Sequence, residues 1–102
     1  MQKLEGAPWE IDPYLKTGGY EAWRKCLKEL TPNDIVGEIK KAGLRGRGGA
    51  GFPTGTKWDK VLNHRVQERY FVCNAGEHEP GTFKDRHLLK HIPHQLIEGC
   101  LI

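Results

Sequence analysis

Residues 43–58 read GLRGRGGAGFPTGTKW. Glycine stands at 43, 46, 48, 49, 51 and 55, in company with Arg45, Arg47, Phe52, Pro53, Lys57 and Trp58. An ordinary connection does not need that many glycines, because each raises the entropy of the unfolded chain and adds no side chain to a core. The plausible compensation is a ligand that lies against bare backbone, where several N–H groups can point at one anion. Arg45, Arg47 and Lys57 add positive charge. The chemistry expected here is binding of a phosphate-bearing cofactor, most naturally a nucleotide. The competing reading is a flexible linker, but such linkers are usually rich in serine and lack aromatic and proline residues.

A second stretch able to do chemistry is Asn74 to Arg86, NAGEHEPGTFKDR. It is polar, turn-rich and dense in hydrogen-bonding side chains. It follows Arg69–Asn74, RYFVCN, whose continuous apolar run predicts a strand buried on both faces. Parallel α/β sheets place their chemistry just beyond the C-terminal ends of such strands. A third candidate is His87 with His91, four apart on a predicted helix, near His78 and His94. H-x-x-x-H can bind zinc. No third ligand is specified and Lys84, Arg86 and Lys90 crowd the region, so a solvated helix face is favoured and no metal residue is assigned.

The elements that must position these residues are mostly helical. Thr31-Pro32-Asn33-Asp34 predicts a helix start, with a capping hydroxyl, proline in the first position and a carboxylate three residues after the cap. Ile35, Val36 and Ile39 form its expected buried face. Lys40 and Lys41 fall in its last turn, and Gly43 follows as a natural C′ residue. The glycine stretch therefore begins at a helix C-terminus. Gly46 to Gly51 matches G-x-G-x-x-G, but that fingerprint follows a strand, so a standard Rossmann turn is rejected. No G-K-[ST] occurs, which excludes a Walker A loop. Thr54 or Gly55 is expected to cap a short helix from Lys57 to about His64, with Trp58, Val61 and Leu62 inward. Lys57 then stands either at an anion site or as a solvated surface lysine.

Residues 1–19 read as an extended arm broken by Pro8, Pro13 and Gly18-Gly19, with Trp9, Ile11, Tyr14 and Leu15 to press onto a body. Tyr20, Trp23, Leu27 and Leu30 recur at helical spacing and predict a helix with an ordinary packing stripe. Asp85–His91 is the next predicted helix, and Pro93 stops it or starts another. Leu96, Ile97, Cys100, Leu101 and Ile102 give an apolar face at the chain end, expected to pack on further residues or on another chain. One strand cannot make a sheet by itself.

The 102 residues suffice for one small domain at most. Hydrophobic content of 37% and charged content of 28% fit a soluble chain. No apolar run is long enough for a membrane span, and the start, MQKLEGAPWE, lacks a signal-peptide core. A formal charge of +3 is too mild to argue for nucleic acid. Cys26, Cys73 and Cys100 have no pairing pattern and no C-x-x-C, so a reducing compartment and three small buried residues are expected.

GLRGRGGAGFPTGTKW, followed by CNAGEHEPGTFKDR, resembles the NADH-binding FMN flavoprotein subunit of respiratory complex I and the related diaphorase subunits of NAD-linked formate dehydrogenases and hydrogenases. The resemblance runs from the Tyr20 helix onward and covers only the N-terminal part of a longer family. It implies a Rossmann-like α/β FMN-binding domain, of which 43–102 is the start, with 1–42 as an N-terminal arm and helical segment. It implies hydride transfer from NADH to FMN and onward passage of electrons to iron–sulfur clusters. By similarity, Gly46, Arg47 and Gly48 contact the flavin, with Gly49, Gly51 and Gly76 in the same cofactor surface. Lys57 meets the flavin phosphate, Asn74 the flavin or its ribityl chain, and Phe52 stacks on the NADH adenine. Glu77 and Glu79 lie on the nicotinamide side as the catalytic pair.

The family usually has aspartate where this chain has Gly76, and serine where it has His78. The loss of that carboxylate removes an acceptor from the pocket. The ligands of the family's 4Fe-4S cluster lie outside this chain, so the 102 residues alone are not expected to turn over. The implied setting is a cytoplasmic redox complex, or the cytoplasmic face of a membrane complex, with an iron–sulfur, thioredoxin-like subunit as partner. The alternatives are a catalytically inactive interaction module of such a complex, or a diaphorase run in the NAD-reducing direction.

Overall fold

A computed structural model describes residues 6–102. In chain order the described elements are α1 (Ile11–Lys16), α2 (Glu21–Glu29), α3 (Pro32–Lys41), α4 (Thr54–Leu62), α5 (Lys84–His91) and α6 (Pro93–Leu101). They fall into two compact units. One runs up to Arg24 and resumes over Phe71–Ile102; the other is Lys25–Tyr70.

In the Lys25–Tyr70 unit, α3 starts on a capping box. The Thr31 hydroxyl accepts the Asp34 N–H at 3.2 Å, and the Asp34 carboxylate accepts the Thr31 N–H at 2.8 Å. The hydroxyl and amide of Thr31 hold the Asp34 carboxyl below its ordinary range. The helix closes through Ala42 into Gly43, whose φ is +64°. Helices α3 and α4 pack on each other. Val36 is buried at 7% exposure, Ile35 and Ile39 are half-buried, and Gly55 of α4 is buried. Lys40 and Asp59 tie the pair at 2.8 Å, a solvent-exposed bridge that adds little to stability.

In the other unit, α6 packs on α1 and on α5. The segment expected to be an extended arm instead contains α1, and Pro13 is its third residue. Proline is tolerated there because the first amides of a helix have no partner to lose. The part of that expectation that falls on residues 1–5 lies outside the described residues. Helix α2 follows Tyr20, whose φ of +64° makes it the one non-glycine residue with positive φ among those described. Its N-terminus is capped from the far end of the chain. The Glu98 carboxylate accepts the N–H of Tyr20 at 2.9 Å and of Trp23 at 3.2 Å, and also the Tyr14 hydroxyl. Tyr20 in turn shares a 2.9 Å hydrogen bond with His94 Nδ1.

Several expectations are corrected. Arg69–Asn74 is not a strand, and the described residues contain no strand; their one β pairing is an isolated bridge between Arg45 and Pro53. Tyr70, Phe71 and Val72 are 86%, 70% and 81% exposed. Apolar, β-branched composition supplies only a preference, whereas a strand also needs a neighbour to exchange backbone hydrogen bonds. The described part of the chain is helical rather than α/β. Helix α4 begins at Thr54 with Pro53 as its N-cap, three residues before the predicted start. Leu27 is 67% and Val61 56% exposed, so neither belongs to a packed stripe. No cysteine is buried: Cys26 and Cys100 are half-buried and Cys73 is exposed.

Candidate functional site

The glycine segment is a closed loop between α3 and α4. Its two ends are pinned to each other: the Gly46 N–H donates to the Phe52 carbonyl and the Thr54 N–H to the Leu44 carbonyl, both at 2.9 Å. Inside the loop the Arg45 guanidinium donates to the Gly51 carbonyl at 3.0 Å. Arg45 thus braces the turn, a role its charge in the sequence did not signal. Gly49 and Gly51 have φ of +111° and +61°, which account for their lack of a side chain. Gly48 has no such backbone reason, and a β-carbon there would meet nothing within 4 Å. Gly46, Arg47, Gly48 and Gly49 are all exposed, and Gly51 is half-buried. The loop presents bare backbone outward.

Phe52 closes the loop with its ring 45% exposed. The Lys57 ammonium lies 6.0 Å and the Lys60 ammonium 5.8 Å from the ring centroid. Lys60 was not singled out from the sequence, although its spacing of three from Lys57 on a helix puts both on one side. Helix α4 has no side-chain cap, and its first turn carries no acidic residue. Gly46 is thus joined to Phe52 by the backbone, and the Lys57 ammonium lies near the same ring.

The second stretch, in the other unit, is built on two carboxyl or amide caps. The Asn74 side-chain oxygen accepts the Gly76 N–H at 2.9 Å, an Asx turn. A β-carbon on Gly76 would stand 3.2 Å from that oxygen and 3.4 Å from His78 Nε2. The space beside Gly76 is thus taken by the turn and by the imidazole. Half-buried Glu77 accepts the N–H of Asp85 at 2.7 Å and of Arg86 at 3.3 Å. It satisfies the otherwise unpaired amides that begin α5. Glu79 is exposed, with its backbone carbonyl accepting the Thr82 N–H and Gly81 turning at φ +80°. Glu77 is thus engaged by α5, while Glu79 presents a carboxylate to solvent. The capping role of Glu77 spans eight residues and has no local sequence signature.

The His87 and His91 rings lie beside each other on α5, tilted by 46° with centroids 4.3 Å apart. Among the described residues no group of three or more His, Cys, Asp or Glu is placed to hold a metal ion. No described helix is long and apolar enough to cross a membrane.

Residues 39–102 match the family described as the Nuo51 FMN-binding domain, Complex1_51K. The chain is also similar to the F subunit of NADH-quinone oxidoreductase from several bacteria. It is 55% identical to the Aquifex aeolicus protein over 92 residues, covering 90% of this chain and 21% of the relative. Against the Escherichia coli K12 protein it is 51% identical over 96 residues, 93% of this chain and 22% of the relative. Against the Streptomyces coelicolor protein it is 49% identical over 98 residues, 96% of this chain and 22% of the relative. The chain spans about a fifth of the length of these curated relatives. With a match that takes in the glycine loop, the Asn74–Arg86 stretch and well over half of the residues, the chain belongs to the Nuo51 FMN-binding domain family.

Proposed function

We propose that the chain supplies one part of an FMN and NAD(H) site in an NADH:acceptor oxidoreductase subunit of a multi-subunit electron-transfer complex. Gly48 carries the reading. Neither backbone strain nor packing within the described residues accounts for glycine there. A planar ligand pressed against the loop would account for it, because any side chain would hold that ligand off the backbone.

The residues present fit FMN by this test and by their chemistry. The outward backbone of Gly46–Gly51 with Arg47 receives the flavin, and Lys57 meets the phosphate. The exposed Phe52 ring offers a face for the NADH adenine. Asn74 keeps its amide N–H groups for the flavin or its ribityl chain while its oxygen closes the turn at Gly76. Glu77 and Glu79 would lie on the nicotinamide side, with Glu77 also holding the start of α5. FMN, when bound, accepts hydride from the nicotinamide and releases electrons singly. The chain's own contribution is to bind and orient.

Tyr70–Val72 would become a strand of the Rossmann-like domain once neighbouring strands cover it, and 43–102 would form the start of that domain. The 4Fe-4S ligands and the remaining sheet belong, on this reading, to parts of the family's sequence outside these 102 residues. A neighbouring iron–sulfur subunit on the cytoplasmic side would take the electrons.

The test is visible absorbance of the complex purified in its native form, together with a Gly48→Val variant. Flavin bands in the parent and their loss in G48V are expected. Undiminished flavin in G48V would overturn the cradle. A parent complex free of flavin and cluster would favour the inactive interaction module.

A further inference from the structure

Lys60 makes none of the FMN contacts proposed for the glycine loop and Lys57. Its ammonium lies 5.8 Å from the centroid of the Phe52 ring, and that of Lys57 lies 6.0 Å from the same point. The two lysines are three residues apart on α4, so they project from one side of the helix. Asp59, which lies between them in sequence, is paired with Lys40. Among the described residues neither Lys57 nor Lys60 has an acidic partner. Two like charges one turn apart repel each other, so an anion bound at either would relieve that repulsion.

On its other side Lys60 borders an open recess of about 280 Å³, lined otherwise by Val61, His64, Val66 and Arg69. The recess contains no carboxylate. The Arg69 guanidinium donates to the carbonyls of Leu62 and His64 at 3.3 and 2.9 Å, which fixes part of the wall. An exposed aromatic face, a cation beside it and a basic recess next to that cation suit an aromatic base carrying a phosphate.

We propose that Lys60 recognises a phosphate of the adenine nucleotide whose base stacks on Phe52. This rests on the assignment of Phe52 to the adenine made above. The phosphate can be the pyrophosphate common to NADH and NADPH or the 2′-phosphate peculiar to NADPH, and the two are separable by experiment. Lys60 would then be a specificity-determining residue, with Lys57 left to the flavin phosphate.

The test uses the full-length subunit in its complex, with equilibrium binding of adenosine, ADP and adenosine 2′-monophosphate. A Lys60→Gln variant is expected to weaken one or both phosphorylated ligands by roughly three- to tenfold, as for one lost charge-assisted contact at an exposed site, and to leave adenosine unchanged. Loss confined to ADP assigns the pyrophosphate; loss confined to the 2′-monophosphate assigns the NADPH phosphate. Lys60→Arg should retain binding. Unaltered affinity of K60Q for both phosphorylated ligands overturns the proposal. A Phe52→Leu variant checks the foundation separately: it should weaken adenosine itself, and unaltered adenosine binding would remove the adenine from Phe52 whatever Lys60 does.

Discussion

Gly55 lies against Lys40 so closely that a β-carbon on Gly55 would stand 2.6 Å from Lys40 Cγ and 2.9 Å from the Lys40 backbone nitrogen. Only hydrogen fits between α4 and α3 at this point. The contact seats α4, and with it the C-terminal root of the glycine loop. Gly55→Ala should therefore push the helices apart and destabilise the protein by roughly 1–3 kcal/mol, the usual cost of overpacking. Chemical denaturation measures this, and flavin content should fall in parallel. A G55A protein as stable as the parent would show that the two helices can slide without loss.

Arg45 should act as a brace rather than as an anion ligand. Its guanidinium spans the loop to the Gly51 carbonyl. Arg45→Met removes one exposed hydrogen bond, so global stability should change by about 1 kcal/mol or less. The loop should lose its set conformation, and FMN should dissociate faster. Stopped-flow release of flavin from the complex checks this; a release rate equal to the parent's would assign Arg45 no bracing role.

Glu98 should govern the acid limb of stability in the unit containing α1, the start of α2 and α6. Burial alone would raise its carboxyl, but hydrogen bonds from the Tyr14 hydroxyl and from the Tyr20, Trp23 and Ala22 amides outweigh it and hold the group below its ordinary 4.5. A carboxyl depressed in the folded state stabilises above its unfolded value. That contribution is lost as pH falls from about 4.5 through the folded value. Glu98→Gln should cost roughly 1–3 kcal/mol at neutral pH, because donors that faced a carboxylate now face an amide. The acid limb of a stability–pH series should flatten in E98Q; an unchanged limb would rule Glu98 out as its source.

Tyr14 is the alkaline counterpart. Burial first, and then its hydrogen bond to Glu98 and the charge of Glu98, push the phenol up from 10.0 to about 12. The tie should persist below about pH 10 and weaken as pH climbs toward 12. Tyrosinate absorbance should show a late-titrating phase from Tyr14 in the parent, and that phase should move earlier in E98Q.

Gly76→Asp should restore the carboxylate that the resemblance leads one to expect at this position. The site is not empty: a β-carbon there crowds Asn74 Oδ1 at 3.2 Å and His78 Nε2 at 3.4 Å. The single substitution should loosen the Asx turn and alter flavin affinity less favourably than the double change Gly76→Asp with His78→Ser. Flavin titration of both variants tests the coupling. Additive effects would mean that Gly76 and His78 are independent departures.

The sequence alone determined the features whose partners lie within a few residues. The Thr31–Asp34 capping box, Pro32 at the helix start, Gly43 at its end and Pro93 at the head of α6 are all local, and all stand where they were expected. The two motifs that carry the family are likewise runs of neighbours. Tertiary structure decided what depends on distant partners. Glu98 caps a helix that begins 77 residues earlier at Glu21, and Gly55 admits Lys40 from another helix. Neither has a spacing rule, because each is set by how helices pack. Arg69–Asn74 shows the converse limit. Its residues favour a strand, but a strand is a relation between two segments, and among the described residues it has no second member.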